Sequence, residues 1–366
     1  MARIVIKLLL LVVIFACSIS VLCASPQHNP RIPNGYTAEI VLRVDYGESF
    51  GDVGVSWGSD ERSDSGVLEH EYSQPASVEQ MKVIGDRFYF YDNTDSKIKL
   101  FQSPGKCIWE SSQIGNMMEY TVSPKGLVYV VGCSSQDQLS CIDTAGKTVW
   151  TKRASDIWPV EEYQKYNLKE IIGWASIEWT SYGLTVSICV SPNGGGQSYY
   201  LFALTDDGKI NQLLSHEDRF VGPDGGLYKT ENWQSKQLQR MAIKNNKAGE
   251  KLHEISFEFD ADNGKYLAGK EMRMFRLKPD ASGDFFIEGK AVLDQSHSAN
   301  SVVKGTLEEV LWRFDNQGKF KEQWRFLRSQ FKHLGSEIVV GSNGDVYHLQ
   351  FGATGIEVVK YSREAK

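Results

Sequence analysis

The 366-residue sequence carries 40 Lys and Arg against 46 Asp and Glu, a formal charge of −6, with 41% hydrophobic residues. Binding to a polyanion depends on clustered cations that release counterions. No basic stripe interrupts the acidic balance, so nucleic acid is not an expected partner.

Arg3 and Lys7 precede an apolar run from Leu8 to Val21 and the small pair Ala24-Ser25. The pattern predicts a secretory signal peptide over residues 1–24, the run being shorter than the roughly 20 apolar residues of a membrane span. Cleavage leaves 342 residues, with 38 cations against 46 anions. The first expectation is an extracytoplasmic protein, secreted or periplasmic, with no membrane span after cleavage. The alternative is a chain anchored to a membrane by an uncleaved N-terminal segment. Cys17 follows Ile14-Phe15-Ala16 and Cys23 follows Ser20-Val21-Leu22, neither of which suits a lipoprotein cleavage site.

Residues 25–36 read as a tail. Thr37–Tyr46 reads as a strand with Ile40, Leu42 and Val44 on one face. Residues 47–77 are polar and acidic, with Val53, Val55, Trp57, Val67 and Leu68 as apolar anchors. They form either a long binding loop or a linker without order of its own.

From residue 78 one cue recurs six times, a glycine followed at once by a strand rich in β-branched and aromatic residues. The glycines are Gly85, Gly126, Gly183, Gly226, Gly283 and Gly344, spaced 41, 57, 43, 57 and 61 residues apart. Such spacing matches a four-stranded propeller blade of about 40–50 residues, with insertions. A second turn recurs at Pro104-Gly105-Lys106, Ala145-Gly146-Lys147, Asp207-Gly208-Lys209 and Gln317-Gly318-Lys319, with a looser version at Ala248-Gly249-Glu250-Lys251. These residues supply the positive φ that tight turns require. Each repeat therefore reads as strand A, glycine turn, strand B, loop, strand C, Gly-Lys turn, strand D. In the first, the strands are Val78 to Ile84, Arg87 to Asp92, Lys97 to Gln102 and Lys106 to Glu110.

The last repeat shows only three strands, Ser336 to Gly341, Asp345 to Gln350 and Glu357 to Ser362. The Thr37–Tyr46 strand, which belongs to no complete repeat, is expected to supply the fourth and close the ring. The predicted fold is an all-β, six-bladed β-propeller over residues 78–364, with 37–46 as the closing strand of the last blade. A short helix is expected from Trp158-Pro159 to Ile171, with Pro159 at its first position.

Phe88-Tyr89-Phe90-Tyr91-Asp92-Asn93, then Ser96 to Phe101 and Gly105-Lys106, resembles a repeat of the NHL and TolB-like six-bladed propellers. Cys141 to Trp150 (CIDTAGKTVW) is similar to a quinoprotein-type repeat. The resemblance covers about Ala76 to Tyr361 and implies architecture; these motifs mainly encode turn geometry. At the level of fold it also brings metal-dependent lactonases and lyases into view. Quinone-dependent dehydrogenases fit less well, because the vicinal cysteine pair found in several of them is lacking.

In this topology the A-to-B and C-to-D turns share one face of the ring, and the B-to-C and D-to-A connections share the other. The long connections (Gly47 to Ser77, Arg153 to Ile172, Ser191 to Ser198 and Lys290 to Thr306) all fall on that second face, where a ligand site is expected. Strand A begins there, and five A strands carry an acid before the turn glycine: Glu79, Glu119, Glu178, Asp218 and Glu337. The fifth repeat offers Arg273 and Arg276 instead. Turned to the central funnel, these side chains would make a carboxylate ring broken by one basic sector, suited to a cation, an amine or a polyhydroxy ligand. Turned between blades, they would bond to neighbouring backbone or cations, and a one-residue register change decides between the two. Trp179, with Trp174, is a candidate to stack a sugar or planar ring, or else a core residue.

Cys133 and Cys141 flank the loop Ser134–Ser140 and are candidates for a disulfide, or else two reduced apolar side chains. No C-x-x-C pair or H-x-x-x-H spacing appears. Asp260-Ala261-Asp262-Asn263-Gly264 lacks the calcium-loop register and reads as an Asn-Gly hairpin. The first functional expectation is a binding module for a protein, glycan or envelope component, without cofactor. The alternative is a metal-dependent hydrolase or lyase with one divalent cation such as Ca2+ in the funnel.

Overall fold

The structure, a computed structural model, describes residues 31–54, 78–114, 117–132, 138–158, 168–216, 220–221, 225–231, 240–245, 251–257, 271–279, 283–292, 296–297, 303–304, 307–328, 338–341, 343–351 and 354–364. The signal-peptide region, most of the 47–77 loop and Asp260–Gly264 lie outside them.

The described strands assemble into six four-stranded antiparallel sheets. Strand β1 (Tyr36–Asp45) stands apart in sequence. The first sheet is β2 (Val78–Ile84), β3 (Arg87–Asp92), β4 (Lys97–Gln102) and β5 (Lys106–Glu110). The second is β6 (Met117–Val122), β7 (Val128–Gly132), β8 (Gln138–Ile142) and β9 (Thr148–Arg153). The third is β10 (Leu168–Thr180), β11 (Gly183–Pro192), β12 (Ser198–Leu204) and β13 (Ile210–Ser215). The fourth is β14 (Phe220–Val221), β15 (Leu227–Glu231), β16 (Arg240–Asn245) and β17 (Lys251–Phe257). The fifth joins β18 (Glu271–Pro279) and β19 (Phe285–Val292) to β22 (Leu307–Phe314) and β23 (Phe320–Arg328), and the small hairpin β20 (Ser296–His297) with β21 (Val303–Lys304) interrupts it. The sixth is composite: β24 (Ile338–Val340), β25 (Val346–Phe351) and β26 (Gly355–Arg363) in chain order, then β1 antiparallel to β26 from Tyr36 opposite Arg363 to Asp45 opposite Gly355.

Alternation along each strand sends successive side chains to opposite faces, and here each face packs on a neighbouring sheet. In β3, Tyr89 and Tyr91 join Tyr120, Val122 and Val128 of the second sheet, whereas Phe88 and Phe90 join Leu42, Val44, Tyr347 and Val358 of the sixth. The same division continues round the molecule. Trp174, Ile177 and Val186 meet Tyr129 and Leu139; Leu201 and Leu214 meet Val221 and Leu227; Tyr228 and Phe257 meet Phe285 and Trp312; Phe286 and Trp324 meet Ile338 and Val359. First strands lie beside first strands, β24 beside β2, β2 beside β6 and β6 beside β10. Radial sheets packed face to face around their first strands make this an all-β propeller.

The Gly-Lys turns have a second role beyond positive φ. Asp143 Oδ1 accepts the Ala145 and Lys147 N–H groups, Asp315 Oδ1 those of Gln317 and Lys319, and Thr205 Oγ1 that of Lys209. Each turn thus closed lies on the outermost strand of the preceding sheet. A Cβ on Gly146 would fall 2.8 Å from the Glu110 carbonyl oxygen, one on Gly208 2.7 Å from the Trp150 ring, and one on Gly318 would overlap the Ser256 carbonyl oxygen. At Gly105 it would fall 2.5 Å from the Arg43 carbonyl oxygen. β1 therefore receives the turn of the next sheet as β5, β9 and β17 do.

Two expectations need correction. Leu168–Ile171, the expected end of the helix, opens strand β10 instead; residues 159–167 lie outside the described residues, and a single helical turn, α1 (Ala154–Ile157), precedes Trp158. Trp158 ends α1 and is buried against Tyr200 and Phe202, so its apolar ring seals the space between the second and third sheets. Cys141 is a free thiol. Its side chain belongs to that same core, where burial pushes it up to about 11; Cys133 lies outside the described residues.

Candidate functional site

Of the residues proposed from sequence, the structure places Glu119, Glu178 and Trp179 with side chains. Glu79 and Arg273 are located by backbone, in β2 and β18, and Asp218 and Glu337 lie outside the described residues. Glu119 Oε2 accepts the Ile177 N–H at 3.2 Å, and Thr121 Oγ1 accepts the Trp179 N–H at 3.0 Å. From the other face of the same strand, the Tyr120 hydroxyl donates to the Tyr89 carbonyl at 2.7 Å. β6 is thus bonded alternately to both neighbours, and Glu119 acts as a clip between sheets. The reason is topological: side chains alternate along β6 between the faces that meet its two neighbouring sheets, and Glu119 takes the side of the third sheet. Glu178, one residue on from Ile177, is exposed on the opposite face of β10. Trp179 lies over Tyr129, ring centroids 6.0 Å apart and planes at 22°, and Trp174 is buried in the same core.

The loop-rich face has a second feature that pattern reading missed. After β1 the chain makes a tight strap, Gly47–Gly54, across the first sheet. Val53 N–H donates to Asp45 O and Gly47 N–H to Val53 O, closing the strap on itself, with the Val53 side chain wholly buried. The strap is fastened to sheet one from both sides: Gly51 N–H to Glu110 Oε1 at 3.0 Å, Gly54 N–H to Asp92 Oδ2 at 2.7 Å, and Lys99 Nζ to the Asp52 carbonyl at 2.8 Å. Lys99 is 1% exposed and sits 2.9 Å from Asp92 and 2.6 Å from Asp95. Burial opposes its charge, but the hydrogen bonds to Asp95 and Asp92 prevail and raise its pKa. A lysine at position 99, mid-strand among Ile98, Leu100 and Phe101, is the sequence signal for this buried cluster.

Between sheets five and six lies a third group. Glu288, Glu309 and His348 are all buried, with His348 Nε2 3.9 Å from Glu309 Oε2 and the imidazole stacked on Phe326 at 4.2 Å. Among the described residues, no set of three or more His, Cys, Asp and Glu has an arrangement able to hold a metal ion. No helix among them is long and apolar enough to cross a membrane.

No family model matches the chain, and no curated protein matches it. Solved structures do. One is a member of the DUF4221 family from Bacteroides vulgatus, 9% identical, TM-score 0.44, covering 90% of this chain and 98% of that one. Another is the Dos1 propeller, 10% identical, TM-score 0.40, covering 80% and 81%. A third is a putative 6-phosphogluconolactonase from Bacteroides fragilis, 11% identical, TM-score 0.40, covering 90% and 95%. At such identities no ligand or activity carries over.

Proposed function

We propose that this is a six-bladed propeller of the NHL or TolB-like kind, exported behind residues 1–24, that serves as a binding module for a protein, glycan or envelope component. The blade count is supported by six four-stranded sheets, by packing that passes from each sheet to the next, and by the Gly105 turn seated on β1. One observation carries the functional reading. The described Gly-Lys turns of one face are locked onto neighbouring strands, while the strap, α1, the 193–197 turn and the β20–β21 hairpin all leave from the other. A rigid disk with varied loops on one side suits recognition. Binding rather than catalysis is favoured because Glu119, one of the carboxylates considered for the funnel, is engaged by the Ile177 amide.

The test is photocrosslinking in the host cell, with the reactive side chain placed either at Asn193 on the loop-rich face or at Lys147 on the turn face, both exposed. The expected result is a discrete adduct from position 193 and none from 147. Adducts from 147 alone, or stoichiometric calcium with turnover of a lactone by residues 25–366, would overturn the reading.

A further inference from the structure

The strap carries Phe50 at its tip, 69% exposed although the backbone around it is pinned by hydrogen bonds on both sides. Single exposed apolar side chains are ordinary. This one is not single. Gly51 packs against Cys107, where a Cβ would stand 3.0 Å from Cys107 Cβ, and Ile108, the next residue of β5, is itself 40% exposed. Docking of the strap therefore brings together the backbones beside Phe50 and Ile108, although the two residues lie 58 apart in sequence. Asp45, at the end of β1, and Glu48, on the strap, are both exposed. The nearby cations are Arg43, held by Glu357 at 2.8 Å, Lys97, held by Glu110 at 3.1 Å, and Lys106, exposed at the start of β5.

We infer that Phe50 and Ile108, flanked by Asp45 and Glu48, form a docking point for a peptide segment of a partner protein in which Lys or Arg flanks a large apolar side chain. The inference rests on the binding-module reading and narrows it to one sector of the loop-rich face. Charge complementarity chooses the occupant. The local carboxylates and the acidic chain as a whole favour a cationic segment and steer its approach. Aromatic side chains are enriched where interfaces bury most area, and a tip already fixed by Glu110 and by the Asp45–Val53 bond loses little conformational freedom on binding.

The experiment is selection of a phage-displayed random peptide library on the full mature chain, with enriched peptides then measured against wild type, Phe50→Ser and Glu48→Lys. We expect a consensus with Lys or Arg around Leu, Phe or Trp, binding that weakens with salt, and at least a tenfold loss in each variant. Both variants should melt with the wild type, since neither side chain is buried. The inference fails if nothing is enriched, if the consensus lacks cations, or if the peptides bind Phe50→Ser as well as wild type. In that last case, competition by a loop-face crosslink at position 193 would leave the binding-module reading standing and remove the strap from it.

Discussion

Gly318 and Gly283 separate two reasons for glycine in one protein. Both have left-handed backbones, φ +83° and +89°, but a Cβ on Gly283 meets open space, whereas on Gly318 it would overlap the Ser256 carbonyl oxygen and stand 2.9 Å from Ile255 Cγ2. Left-handed geometry costs a non-glycine residue about 1–2 kcal/mol, partly offset by the roughly 0.4–1 kcal/mol gained from a stiffer unfolded chain. Gly283→Ala should therefore destabilise by about 1 kcal/mol. Gly318→Ala must also push its turn off β17, loosening Phe314 and Phe320 from Phe257. That is an overpacking cost of about 1–3 kcal/mol more. Urea unfolding followed by tryptophan fluorescence, with slopes checked for equality, measures the difference. Equal losses in the two variants would refute close approach as the function of the Gly-Lys turn and with it the repeated inter-sheet lock.

Leu42→Ala in β1, 1% exposed between sheets six and one, should cost about 2–5 kcal/mol, whereas Glu39→Ala, exposed on the same strand, should leave the melting curve unchanged. Lys99→Met leaves Asp92 buried without its cation and should cost about 3–5 kcal/mol, with faster proteolytic cutting in Gly47–Gly54 as the specific sign that the strap has lifted. Burial holds the Cys141 and Cys107 thiols up to about 11 and the Tyr46 and Tyr361 hydroxyls up to about 12. Folded values above the unfolded ones mean that this stabilisation is complete below about pH 9 and fades as pH rises towards 11–12. Thermal melts at pH 8, 10 and 11 should fall in order, and the native Cys141 thiol should react with a disulfide reagent far more slowly at pH 8 than after unfolding.

What could be read in advance was whatever local chemistry dictates. Positive-φ glycines, Asx-type turns and two-residue alternation place β2 to β5 within the bounds the pattern suggests, and the orphan apolar alternation of Ile40, Leu42 and Val44 marks a strand that the structure sets beside β26. The acidic positions on first strands were legible as a pattern, but their direction was not. β6 and β10 each carry a register irregularity near their start, and which face Glu119 takes depends on that slip. The helix expected from Trp158 to Ile171 falls short of its predicted end because the strand opposite β11 begins as early as Leu168. The Lys99 cluster joins residues more than 40 positions apart, and Glu288, Glu309 and His348 come from three separate strands. No local window contains either.

The sixth sheet takes its outer strand from residues 36–45 and its other three from 338–363. A chain emerging N-terminus first therefore cannot complete its ring piecemeal: Leu42 and Val44 have no sheet to join until β26 exists. Until then Phe88 and Phe90 at one open edge and Phe286 and Trp324 at the other lack part of their cover. Synthesis must thus deliver a molecule whose final cooperative step coincides with its last strand, so a chain truncated anywhere within β26 is a substrate for proteases and chaperones rather than a smaller propeller.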